Sequence, residues 1–185
     1  MSALTSSRCT CCTTPFAPRP APGRRAFLGL AAGLAATTLP GGARAGDGTA
    51  YEAMLLSCID PRLVTKVHTA MAQQGLHNQY SQFAIAGAAI GVMAPGFSGW
   101  APAFWDNLAA SMQLHRIKRI VVLNHRDCGA ARIAYGNAAV ATPEAETALH
   151  RTVFAAFAAK VAERQPRLAV TGGLMALDGT VEPFA

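Results

Sequence analysis

Three side chains in this sequence, Cys58, His125 and Cys128, have the types and spacing to hold a metal ion. Two thiolates and an imidazole form a soft-to-borderline donor set that suits Zn2+. The His-x-x-Cys spacing lets both side chains turn toward one point as the chain leaves a strand. Three protein ligands leave the fourth tetrahedral position to water or substrate, as a catalytic zinc requires. Because two thiolates cancel the charge of the ion, it is a weaker Lewis acid than one held by three neutral histidines, and water beside it needs help. Asp60, two residues after Cys58, offers a hydrogen-bond acceptor, and Arg62 a guanidinium that can hold that carboxylate in place. Each residue also has a plainer reading. Cys58 and Cys128 can form a disulfide, Asp60 can cap a helix before Pro61, and Arg62 can be a solvated or salt-bridged surface residue. A disulfide, however, leaves His125 and the Asp60/Arg62 pair unexplained.

The elements around these residues alternate between short apolar runs and longer segments of helical period. AMLLS (53–57) reads as a strand, and Pro61 beyond it suits the first turn of a helix, with Leu63, Val67, Ala70 and Met71 at helical spacing up to Gly75. QFAIAG (82–87) is a second strand candidate. MAPGFSGWAP (93–102) reads as a loop ahead of a helix on which Phe104, Leu108 and Met112 share a face. RIVVLN (119–124), with its β-branched run, is the clearest buried strand. Leu149, Val153, Phe157 and Val161 mark the longest amphipathic helix, which must end by Pro166. The closing stretch LAVTGGLMALDGTVEPF predicts a strand and a hairpin-like turn at Asp178-Gly179. This order predicts an α/β fold: a mostly parallel central β-sheet flanked by helices. Sites in such sheets gather beyond the carboxyl ends of the strands. Cys58 lies just past the first strand and His125 and Cys128 just past the third, so they meet if those strands are neighbours.

The 185 residues are 51% apolar and only 14% charged, which excludes a disordered chain and leaves room for one domain with a real core. The net charge of +6 is misleading as a sign of polyanion binding. Five arginines and no acid lie in residues 1–45, and the remainder is close to neutral, so no nucleic-acid partner is expected. Those residues read as an address. Arg24 and Arg25, then Ala26, Phe27 and Leu28, resemble the twin-arginine export motif. A weakly apolar run to Leu39 follows, with Ala43 and Ala45 suiting cleavage before Gly46. The expectation is a twin-arginine signal peptide over 1–45, handed to the Tat translocase, and a zinc domain over 46–185 that is periplasmic or secreted. An uncleaved membrane anchor is the alternative. Cleavage removes Cys9, Cys11 and Cys12 and leaves Cys58 and Cys128.

Cys58-Ile59-Asp60-Pro61-Arg62, followed by His125-Arg126-Asp127-Cys128-Gly129, resembles the β-class carbonic anhydrases, marked by C-x-D-x-R and H-x-x-C-G. The similarity runs from about Met54 to the C-terminus. The resemblance implies a zinc lyase that interconverts CO2 and bicarbonate on an α/β sheet, as a homodimer or dimer of dimers. By that match Cys58, His125 and Cys128 are the metal ligands and Asp60 and Arg62 the catalytic pair. In some members the aspartate itself ligates zinc in an inactive state, which makes Asp60 a possible fourth ligand.

The chain also departs from the family. Where many members have Arg-Asn-Ala-Gly-Asn after the second strand, this sequence has AIAGAAIG (84–91), without the arginine or the asparagines. Ala86 and Gly87 stand for the small pair that permits close backbone approach. Asn124 occupies a place where glycine is common, and the usual N-terminal helices have almost no room before Met54. The altered segment leaves a COS or CS2 hydrolase on the same scaffold as one rival reading; the others are a zinc protein without catalysis, in which Asp60 fills the fourth site permanently, and a disulfide-linked structural or interaction domain. Asp127 reads as a residue that caps the loop or supports the ligands. His68, His77, His115 and His150 read as polar surface and receive no role. Phe83, Trp100, Phe104 and Trp105 can wall a small apolar pocket, or belong to the core or a dimer interface.

Overall fold

The computed structural model describes residues 50–184, and everything below belongs to the unit Arg44–Ala185. The export signal expected over 1–45 lies outside the described residues. The sheet is built from β1 (Ala53–Ser57), β2 (Tyr80–Ala84), β3 (Arg119–His125), β4 (Ala169–Met175) and β5 (Val181–Pro183). Their order is β2-β1-β3-β4-β5. The first four are parallel to their neighbours and β5 returns antiparallel to β4. The α/β class with a mostly parallel sheet is therefore the fold of the chain. The helices are α1 (Val64–Gln73), α2 (Ala89–Met93), α3 (Ala101–His115), α4 (Gly129–Tyr135) and α5 (Pro143–Arg164).

The two central strands show why an apolar run suffices here. Every residue of β1 is buried, and all of β3 after Arg119. Because successive side chains point to opposite faces, each strand feeds two cores. Ala53, Leu55, Val121 and Leu123 pack with Leu63, Val67, Ala70 and Met71 around α1. Met54, Leu56, Ile120 and Val122 pack with Ile90 of α2, Phe104 and Leu108 of α3, and Val153, Phe157 and Val161 of α5. Phe104 sits edge-on to Phe83, Trp105 and Phe157, so these aromatics belong to the core. Trp100, 39% exposed, stacks on Phe97 instead.

Two expectations need correction. The second strand covers Tyr80–Ala84 rather than 82–87, beginning two residues earlier and ending three earlier, ahead of a turn at Gly87 (φ +80°) and Ala88 (φ +50°). The apolar residues that follow form α2, a five-residue helix too short and too uniformly apolar to show a period. Likewise 93–102 is no plain loop. Pro95–Trp100 form a 3₁₀ segment that runs into α3 at Ala101. The short α4 had no sequence signal either, since it buries only Ala130 and Ala131. The expected terminal hairpin is present: Ala176 N donates to Thr180 O at 2.7 Å, Asp178 Oδ1 accepts from Thr180 N at 2.8 Å, and Gly179 has φ +101°.

Candidate metal centre

β1 and β3 are parallel neighbours, with Ser57 paired to Leu123, so their carboxyl ends lie side by side. Cys58 follows the first of these ends and His125 is the last residue of the second. After His125 the chain must reverse within three residues to bring Cys128 back. Arg126 N donates to Met175 O of β4 at 2.9 Å, and Asp127 takes a left-handed conformation (φ +54°), which aspartate tolerates better than most residues. Cys128 then stands at the position before the first residue of α4. As a result one donor atom each from Cys58, His125 and Cys128 lies within 4.8 Å of the others, with His125 and Cys128 buried. Both cysteines are free, so there is no disulfide between them.

The chemistry of the three side chains fits a cation. His125 Nδ1 lies 2.8 Å from Arg126 O, a carbonyl that can only accept, so Nδ1 carries the proton and Nε2 the lone pair. Nε2 is buried without a hydrogen-bond partner, a costly state for a polar atom that a metal would relieve. Cys58 Sγ accepts the Gly87 amide at 3.2 Å. The Cys128 thiol beside it holds the Cys58 pKa well below that of a free thiol, aided by His125 and the amide and opposed by burial. Cys128 is pushed up by the Cys58 sulfur and by burial, so the two sulfurs share one proton that a cation would displace. Burial pulls the His125 pKa down, but the Cys58 sulfur, the Arg126 carbonyl and the Asp60 carboxylate together leave it raised. The requirement for Gly87 is steric as well. A side chain there would begin 3.0 Å from the Ala130 Cβ and keep α4 away.

Asp60 lies at the rim, its Oδ2 3.9 Å from His125 Nε2. It serves two purposes at once. It caps the 3₁₀ turn Pro61–Leu63 by accepting from Arg62 N at 2.9 Å, and it is gripped by Arg62 Nε and Nη2 at 3.0 and 2.7 Å. Those bonds to the Arg62 guanidinium lower the Asp60 pKa to about 2, so it is an ionised, accepting carboxylate at any ordinary pH. The structure thus brings all five sequence-predicted residues to one place: Cys58, Asp60, Arg62, His125 and Cys128.

Other residues at the site take parts that the sequence did not assign. Asn124 is buried, accepts from Ala89 N at 3.3 Å and lies with its amide nitrogen 2.8 Å from His150 Nδ1. His150, expected from the sequence to be polar surface, is instead fully buried. Burial, together with the charge of Arg126, lowers its pKa to about 4. Arg62 has a second partner, Asp127, and Glu146 of α5 accepts the Asp127 amide at 2.6 Å.

No known family model matches the chain. It is 35% identical over 129 residues to the uncharacterized protein RC0076 of Rickettsia conorii, a match covering 70% of this chain and 69% of that one. It is 31% identical over 129 residues to an uncharacterized protein of Rickettsia bellii, covering 70% and 79%. Similar solved structures include a carbonic anhydrase from Glaciozyma antarctica, 17% identical with a TM-score of 0.47, covering 77% of this chain and 87% of that one. Another is β-carbonic anhydrase isoform I of Trichomonas vaginalis, 17% identical with a TM-score of 0.48, covering 86% and 92%.

Proposed function

The chain belongs to the family of the uncharacterized protein RC0076 of Rickettsia conorii, and we propose that it is a zinc lyase of the β-carbonic anhydrase type, hydrating CO2 reversibly to bicarbonate. The observation that carries this reading is the convergence of Cys58, His125 and Cys128 donor atoms within 4.8 Å, with the Asp60 carboxylate 3.9 Å from His125 Nε2. Cys58 Sγ, Cys128 Sγ and His125 Nε2 would hold the ion. The three donor atoms already lie within 4.8 Å of one another, close enough to share one ion. When bound, zinc supplies a Lewis acid that makes water nucleophilic near neutral pH.

The remaining work falls to the chain itself. Asp60, ionised and accepting only, would accept a hydrogen bond from water at the site and so orient that water's lone pair toward the carbon of CO2. Arg62 keeps the carboxylate ionised and stops it turning away. His125 is fixed in tautomer and orientation by the Arg126 carbonyl, and Cys58 by the Gly87 amide. Export by the twin-arginine route and assembly as a homodimer or dimer of dimers are part of this reading, motivated by residues 24–45 and by the motif resemblance.

Stopped-flow CO2 hydration on protein of confirmed zinc content tests the proposal. A fast, zinc-dependent rate that rises through a single ionisation is expected. Zinc-loaded protein with no rate above buffer would refute it, and turnover of COS or CS2 in its place would reassign the site.

A further inference from the structure

We propose that Asp127 is a positioning residue, which clamps Arg62 so that Arg62 can hold Asp60 beside the metal ligands. The inference deepens the functional reading above, but its geometry stands without it. Arg62 divides its donors between two acids. Nε and Nη2 grip Asp60, while Nη1 donates to Asp127 Oδ2 at 2.8 Å and Nη2 also reaches Asp127 O at 3.1 Å. With a side chain 46% exposed, Arg62 is not held by burial, and an arginine free to rotate regains its rotamer entropy. The second acid removes that freedom.

Asp127 can grip from two atoms because its left-handed backbone turns its carbonyl and its carboxylate toward the same guanidinium. Asp127 is itself anchored. Glu146, only 7% exposed on α5, accepts its amide proton at 2.6 Å, and Arg132 of α4 donates to Oδ1 at 3.0 Å. A chain of contacts thus runs Glu146, Asp127, Arg62, Asp60, from the longest helix to a carboxylate 3.9 Å from His125 Nε2. A merely structural part for Asp127 predicts something different. Half-exposed ion pairs contribute little to stability, and a purely structural Asp127 leaves the mobility of Arg62 irrelevant to turnover.

The test uses the full chain loaded with zinc and two variants. Asp127→Gly keeps the left-handed backbone at no steric cost and deletes the carboxylate. Asp127→Asn keeps both the backbone and an oxygen that can accept from Arg62. Two readouts are taken, the exchange of the Arg62 Nε proton by NMR and the split of kcat against KM for CO2 hydration. The expectation is a protected Nε proton in the wild type and in Asp127→Asn. In Asp127→Gly that protection is lost and kcat falls about tenfold, with zinc content, melting temperature and KM near wild type. A freely exchanging Arg62 in the wild type overturns the proposal without need of any variant. So does an Asp127→Gly protein with wild-type protection. If the wild type proves inactive toward CO2, the functional reading fails while the NMR arm still decides the clamp.

Discussion

The site has a buried half and a half-exposed half, and they are built on opposite rules. In the buried half, polar atoms lack partners. His125 Nε2 has no hydrogen bond, and two sulfurs face each other with one proton between them. In the half-exposed half every charge is answered. Asp60, Arg62, Asp127 and Arg132 form a chain of four with three ion pairs of 2.7–3.0 Å. Unpaired polar atoms in a core are costly and persist where a missing group completes them. Mutually satisfied charges at a surface add little stability, so their geometry is better read as orientation. The difference teaches that removing a residue from the first half should remove the ligand, whereas removing one from the second should slow the reaction.

The largest effect is therefore expected for Cys128→Ser. It should leave the purified protein without zinc and the CO2 hydration rate at the level of buffer, measured by metal analysis and stopped flow. Asp60→Asn is the sharper comparison. It keeps the three ligands but weakens both the acceptor and the Arg62 grip, so zinc should stay while turnover falls about 100-fold. Full activity in Asp60→Asn would remove the carboxylate from the chemistry and collapse the distinction between the halves.

A third prediction concerns pH and belongs to the buried half. His150 titrates near 4 in the fold against 6.5 in the unfolded chain, because burial and the nearby charge of Arg126 disfavour its cation. The unfolded state therefore binds the proton first. Stability is unaffected above pH 6.5 and falls as the pH drops toward 4, by about 3 kcal/mol in total. Denaturant melts at pH 7 and pH 4.5 should show His150→Gln losing less stability on acidification than the wild type. An equal loss would mean that His150 is not the buried neutral group described. The smallest effect is expected for Arg132→Ala in the half-exposed half, which should cost no more than about 0.5 kcal/mol in the same melts.

The same two halves differ in how far the sequence revealed them. β1 and β3 were legible as apolar runs because they lie at the centre of a sheet with cores on both faces. The metal-ligand candidates were legible because soft donors followed those runs at close spacing. The end of β2 was not, since Ile85 and Ala86 read like more strand and the turn depends on Gly87 meeting Cys58. Nor was the partnership of Arg62 with Asp127, which joins residues far apart in sequence through a left-handed backbone that no spacing announces. His150 looked like surface because its burial depends on Asn124, a residue on another element. Asn124 stands where the resembling family often has glycine, and the structure shows its side chain joined to both His150 and the start of α2.

The most direct test of the account is X-ray absorption at the zinc edge of the full chain, purified and reconstituted with one equivalent of the metal. The account predicts two sulfur ligands at about 2.3 Å, one imidazole nitrogen at about 2.0 Å and one further light atom, all lost in Cys128→Ser. Zinc that is not retained, or is bound only by nitrogen and oxygen, would contradict it.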